Sequence, residues 1–202
     1  MIIFSEMDAQ LAVLKADIEQ YCPKLTEAEW RTFQNKLTPV SYKKGVIVFP
    51  SNKVCKHILF VSNGILASEY HNQNKLVISR FFAEKGLCSN LVSLLNEEEC
   101  NDQLVTMTSV QGVLIPYQVF LESYLYSDGI SLYFRKKLLN VLLEDKHFVS
   151  AKTISDVKYQ LAFLQEHYPT ILLEVPWKHI ANFIGVTPAW LSRTLKKKEI
   201  KK

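Results

Sequence analysis

The chain has 202 residues, 48% of them apolar and 22% charged, with a formal net charge of +4. That is enough apolar material for a packed core in one large domain or two small ones, and it excludes global disorder. The charge is concentrated at one end: from Val175 onward seven Lys or Arg face a single acid, Glu199, giving +6 there and about −2 for the rest. A basic end on a near-neutral body fits a nucleic-acid contact surface, and it fits a solvated lysine tail equally well.

Residues 8–37 read as two helices. Leu11, Leu14, Ile18 and Tyr21 recur at helical spacing behind Asp8, and Cys22-Pro23 ends the run. Thr26 followed by Glu29 is a capping-box pattern, after which Trp30, Phe33 and Leu37 share a face and Pro39 closes the helix. From Val40 to Ile115 the texture changes to short β-rich runs: Val46 and Val48, Ile58 to Val61, Ile65 and Ala67, Leu76 to Phe82, Leu104 to Val110, and Val113 to Ile115. Turn residues separate them, at Lys44-Gly45, Asn63-Gly64, Asn72 to Asn74, Lys85-Gly86 and Gln111-Gly112. Asn63-Gly64 is the strongest hairpin signal, because both residues tolerate the positive φ of a primed turn. Many short strands at regular spacing predict a sandwich or small barrel. A short helix is expected at Leu91 to Leu95, and Glu97 to Glu99 read as a solvated loop.

After Pro116 the helical period returns. A long helix is expected from about Asp128 to Lys152, with Ile130, Phe134, Leu138, Val141 and Phe148 along one stripe that Asp145 interrupts. The stripe either packs on the β part or forms a two-helix dimer seam. A helix from Asp156 to His167 buries Val157, Leu161 and Leu164 and ends at Pro169, and Ile171 to Glu174 is a short link or strand.

The segment from Val175 to Lys198 is the most informative. Pro176 suits a first helical turn. Ile180 and Ile184 lie one turn apart, Ala181 is small where another helix must pass, and Gly185 stops the helix in the left-handed conformation. Val186 turns inward, Thr187-Pro188 caps and restarts the chain, and Leu191 and Leu195 bury against the first helix. This is a helix-turn-helix pattern. It leaves Thr187, Pro188, Ala189, Trp190, Ser192, Arg193, Lys196 and Lys197 as the DNA-facing candidates, with small and polar groups at the front and Arg193 one turn later. Trp190 is equally a core or interface aromatic.

In its order of parts the chain resembles the Crp/Fnr family of bacterial transcription regulators over nearly its full length. The glycine turns Lys44-Gly45, Asn63-Gly64-Ile65-Leu66 and Glu84-Lys85-Gly86, and above all Gly185-Val186-Thr187-Pro188-Ala189-Trp190-Leu191-Ser192-Arg193, carry the resemblance. It implies an α+β protein: an N-terminal β-roll, which is a double-stranded β-helix like a cyclic-nucleotide-binding domain (residues 1–127), a long connecting dimerisation helix (128–152) and a C-terminal helix-turn-helix domain (153–202). It also implies a homodimer joined through the long helix on a two-fold symmetric double-stranded DNA operator, with RNA polymerase and a small-molecule effector as further partners. Cyclic-AMP-binding members carry a Gly-Glu pair for the ribose and an Arg-Ser pair for the phosphate. Here Asn90-Leu91 and Cys100-Asn101 stand at the matching positions, so cyclic AMP is not the expected effector. The family's β-wing is not evident after Lys198, and phosphate contacts would fall to Lys196, Lys197, Lys198, Lys201 and Lys202.

No metal or cofactor is expected. Cys22, Cys55, Cys88 and Cys100 are dispersed and read as small buried hydrophobes, unlike the clustered N-terminal cysteines of oxygen-sensing members. His57 and His71 are the only histidines of the β part and do not form a ligating pair; His147, His167 and His179 read as structural or solvated, and no enzyme activity is expected. Acidic residues interrupt any leader-like start and no apolar run reaches about 20 residues, so a cytoplasmic protein without a membrane span is expected. The alternative to a DNA-binding regulator is a small-molecule sensor whose terminal helices bind a protein.

Overall fold

The computed structural model describes residues 2–73, 75–153 and 156–199, with side chains at 9–73, 75–127, 129–150, 153 and 156–194. Helix α1 (Ile2–Tyr21) begins before Asp8, ahead of the apolar period that marks it in the sequence. Its Leu14 and Ile18 are fully buried. Helix α2 (Glu27–Gln34) carries the expected capping box: Thr26 Oγ1 accepts from the Glu29 amide at 3.2 Å, and Glu29 Oε2 accepts from the Thr26 amide at 3.0 Å.

The β part is two four-stranded antiparallel sheets. One is ordered β1 (Thr38–Tyr42), β8 (Val110–Pro116), β3 (His57–Asn63), β6 (Leu87–Cys88); the other β2 (Ile47–Phe49), β7 (Gln103–Thr106), β4 (Leu66–Asn72), β5 (Lys75–Phe82). Three expectations change. Asn63-Gly64 does not close a hairpin, because β3 and β4 belong to different sheets and only Gly64 of the pair has a positive φ. The chain crosses between sheets there, so close to the backbone that a Cβ on Gly64 would lie 2.3 Å from the Ser109 carbonyl oxygen. The tight hairpin is β4–β5, with Asn72 opposite Lys75 and Gln73 at φ 47°. Gln111-Gly112 is strand rather than turn: a Cβ on Gly112 would lie 2.3 Å from the Phe60 carbonyl, so the glycine serves the close approach of β8 to β3. The expected strand from Leu104 to Val110 is broken into β7 and β8, and β1 and β6 add strands that short, weakly patterned sequence did not announce.

Helix α3 (Leu91–Asn96) is capped by Asn90, whose Oδ1 accepts from the Ser93 amide at 3.3 Å. Helix α4 (Tyr117–Tyr126) precedes the 26-residue α5 (Asp128–Thr153). Then come α6 (Val157–His167), capped by Asp156, and α7 (Ile171–Glu174), a helical turn where a link or strand was expected. The chain ends in α8 (Trp177–Ile184) and α9 (Pro188–Glu199).

Two apolar clusters organise these elements. The first fills the space inside the sheets and under α1, α2, α4 and the start of α5, with Phe60, Tyr133 and Phe134 fully buried. The second lies on the outer face of the β4–β5 sheet, where Ala67, Ile78, Phe81 and Val105 pack against Phe148 and the helices from α6 onward. A bulge makes that face continuous. Ser68 pairs with Arg80 and Glu69 with Ile78, so Ser79 is the extra residue, and Ile78 turns outward with Phe81 while Arg80 and Phe82 turn inward.

Of the two readings open to the α5 stripe, packing within the subunit is the one that the described residues show. Ile130 and Phe134 belong to the first cluster, with Leu138 packed on it; Phe148 belongs to the second; Val141 lines a cavity described below. Among the described residues, the large apolar side chains that α5 leaves exposed are Leu132, Leu139, Leu142, Leu143 and Val149, offset around the helix at near-heptad spacing. Periodicity marks an apolar face, but not which neighbour covers it.

Candidate nucleic-acid interface and effector cavity

Helices α8 and α9 meet through Gly185, Val186 and Thr187. Gly185 sits at φ +82° and its amide donates to the Ala181 carbonyl at 2.9 Å, as does the Val186 amide at 3.0 Å. A Cβ at Gly185 would meet nothing within 4 Å, so the turn needs its conformational freedom rather than its size. Thr187 then caps α9, its Oγ1 accepting from the Trp190 amide at 3.2 Å. Ile180, Ala181, Ile184 and Leu191 are buried together and Val186 is half-buried against them, while α8 lays Phe183 on Phe81 of β5, ring centroids 5.2 Å apart.

The opposite side of α9 is open. Thr187, Pro188, Ala189, Trp190, Ser192 and Arg193 are all exposed. Arg193 Nε donates to the Ala189 carbonyl at 3.2 Å, which holds the side chain along the helix. The side chains of Leu195, Lys196 and Lys197 lie outside the described residues. Exposed Trp177 and Lys178 at the start of α8 add an aromatic and a cation that the motif alone did not single out.

A cavity of about 450 Å³ lies between the sheets and α5, walled mainly by apolar groups that include Phe82, Leu87, Val141 and Phe148. Of the four residues expected around an effector, Asn90 and Leu91 line it. Cys100 stands behind Asn90, its sulfur taking a hydrogen bond from Asn90 Nδ2, and burial holds its thiol above its ordinary pKa. Asn101 is exposed and away from the wall. Arg80, Asp102 and Asp145 also reach the cavity, though no motif marked them. For Asp145 a signal existed: it is the charge that interrupts an otherwise apolar stripe. Arg80 bridges to α5, pairing with Asp145 and, at 2.5 Å, with Glu144, and its guanidinium stands 4.9 Å over the Phe82 ring and 5.6 Å over Phe148.

No family model matches the sequence, and no curated protein sequence matches it. Solved structures do match. A transcriptional regulator assigned to the Crp/Fnr family from Eubacterium rectale aligns with a TM-score of 0.66 at 15% identity, over 89% of this chain and 86% of that one. The c-di-GMP-responsive global regulator CLP of Xanthomonas campestris aligns at 0.65 and 16% identity, over 85% and 90%. This chain shares the fold of Crp/Fnr-type regulators. A cyclic nucleotide-binding domain from Methylobacillus flagellatus aligns with a TM-score of 0.60 at 8% identity, over 75% of this chain and 89% of that domain. These Crp/Fnr-like neighbours are regulators and binding domains rather than enzymes. Among the described residues no helix is long and apolar enough to cross a membrane, and no group of His, Cys, Asp or Glu is arranged to hold a metal.

Proposed function

We propose that this protein is a sequence-specific DNA-binding transcription regulator of the Crp/Fnr type. Residues 1–127 form the sensor, 128–152 the connecting and dimerisation helix and 153–202 a helix-turn-helix domain. The observation that carries the reading is the α8–α9 pair: an apolar inner face locked at a left-handed glycine, with every described polar and basic group of the front of α9 turned to solvent. Such a helix suits the major groove, with Ser192 and Arg193 at base edges and its free amides near a phosphate. Lys196 and Lys197 follow on the same helix and supply phosphate contacts.

The regulator works as a homodimer whose seam is the exposed strip Leu132, Leu139, Leu142, Leu143 and Val149. Two copies would set their reading helices about 34 Å apart on a two-fold symmetric operator. The α5 cavity receives a small-molecule effector other than cyclic AMP, since Leu91 cannot accept from a ribose hydroxyl, and RNA polymerase is a further partner.

Enrichment of bound duplexes from a random pool should yield a palindrome, and Arg193→Ala should weaken binding to it by about 1–3 kcal/mol. Equal binding of all sequences at moderate salt would instead favour terminal helices that dock on a protein.

A further inference from the structure

The polar groups of the α5 cavity are unevenly used. Among the described residues, the hydroxyl and amide donors on its wall are already directed at protein acceptors. Ser89 donates to the His57 carbonyl at 3.0 Å, Ser79 to the Ser68 carbonyl at 3.2 Å, and Ser68 to Asp102 Oδ2 at 3.3 Å. Asn90 Nδ2 is divided between the Cys100 sulfur and the Asp102 carbonyl. The terminal nitrogens of Arg80 go to Glu144 and Asp145, and its Nε has no hydrogen-bond partner but is buried out of a ligand's reach.

Acceptors, by contrast, remain. Asp102 takes only the Ser68 hydroxyl, and Asp145 uses one oxygen on Arg80, among the described residues. Two carboxylates therefore face the cavity against one guanidinium, and Glu144 adds a third negative group on that same guanidinium. An anion would find no free hydroxyl or amide donor, only a guanidinium already shared between two carboxylates, and would meet net repulsion. The rest of the wall is apolar, and the volume lies within the usual range of about 300–1,000 Å³ for small-molecule sites.

We infer that this cavity binds a compact apolar molecule carrying an amine or similar N–H donor, received by Asp102 and Asp145, and that it rejects anionic ligands. The inference rests on the reading of the cavity as an effector site and names the class of effector. The donor would sit between residues from two different elements, the turn before β7 and α5. Its binding would compete with Arg80 for Asp145, and so loosen the link from β5 to α5.

Three probes with one ring system and different charge test this by titration calorimetry on the full chain: tryptamine, 3-methylindole and indole-3-acetate, with cyclic AMP as a fourth. Tryptamine should bind tightest and indole-3-acetate about tenfold or more weaker, the factor that about 1.4 kcal/mol of charge interaction produces. Asp102→Asn combined with Asp145→Asn should remove that preference and raise indole-3-acetate binding, because two negative charges leave the wall and Arg80 keeps only Glu144. Val141→Trp should fill the cavity and abolish binding of all probes; if that variant does not fold, the reversal by the Asn pair carries the test. Indole-3-acetate or cyclic AMP binding as tightly as tryptamine, no binding by any probe at millimolar concentration, or a preference unchanged in the Asn pair overturns the proposal. The readout involves no DNA, so its failure is separable from failure of DNA reading.

Discussion

The two ends of α5 are attached to the rest of the molecule by different chemistry. Toward its start, Lys137 is almost fully buried and its ammonium binds Asp17 of α1 at 2.6 Å and the Lys85 carbonyl at 2.8 Å, while the Tyr133 hydroxyl donates to the same Asp17 oxygen at 3.0 Å. Asp17 is only 2% exposed. Toward its end, Arg80 holds Glu144 and Asp145, whose side chains are 51% and 47% exposed, beside an open cavity. A nearly buried ion-pair network is costly to break and serves as a fixed anchor. An ion pair at the rim of a cavity can exchange partners at small cost, so it is the end of α5 where a ligand can act. The aromatic hub just beyond it, Phe148 against Phe163, Tyr168 and Phe183, connects that end to the helices that carry α9.

The contrast can be broken most severely at the buried anchor. Lys137→Ala should cost about 3–5 kcal/mol in denaturant unfolding, because the buried Asp17 loses its counter-charge and keeps only the Tyr133 hydroxyl. Pairing Lys137→Met with Asp17→Asn should recover much of that loss; if it does not, the anchor matters through packing and not charge. Next comes the hub side: Ala181 has no exposed surface, so Ala181→Leu should overpack the second cluster and cost about 2 kcal/mol, with the first cluster's near-ultraviolet signal retained.

A smaller effect is expected at the rim. Arg80→Ala should cost about 1 kcal/mol and, unlike Lys137→Ala, its effect should shrink in high salt. An equal cost for both cations would remove the distinction between anchor and rim.

The smallest effect is a pH slope. Desolvation, with a further contribution from Lys178, holds the His179 pKa below its ordinary value of 6.5. The unfolded chain then binds more protons at His179 than the folded one does. Its contribution to stability is therefore complete above about pH 6.5 and is lost as pH falls toward the depressed value. His179→Gln should flatten the stability profile just below neutrality, measured by thermal unfolding across buffers; an unchanged slope would show that His179 does not couple α8 to the fold.

Much of the fold was legible because its signals are local. The capping box at Thr26 and Glu29, the bounds of α5, and the Gly185 stop followed by the Thr187 cap each depend on residues within one or two turns, and each conformation is set there. The start of α1 was not legible, since only Ser5 and Glu6 are polar ahead of Asp8, too few to define a face. Asn63-Gly64 misled for a related reason: a turn signal shows that the chain bends, and not whether the next strand joins the same sheet.

What the sequence determined by itself is the series of elements and the α8–α9 pair, through turn chemistry and spacing that act over a few residues. What tertiary structure alone decided is which faces meet. Five apolar side chains on α5 could by their spacing serve either a seam or the β part, and they lie against the subunit's own sheets, helices and cavity, because an apolar stripe is satisfied by any apolar surface that covers it. The cavity's charge balance was hidden for the same reason. Arg80, Asp102 and Asp145 come from β5, the turn before β7 and α5, and only folding brings them to one wall.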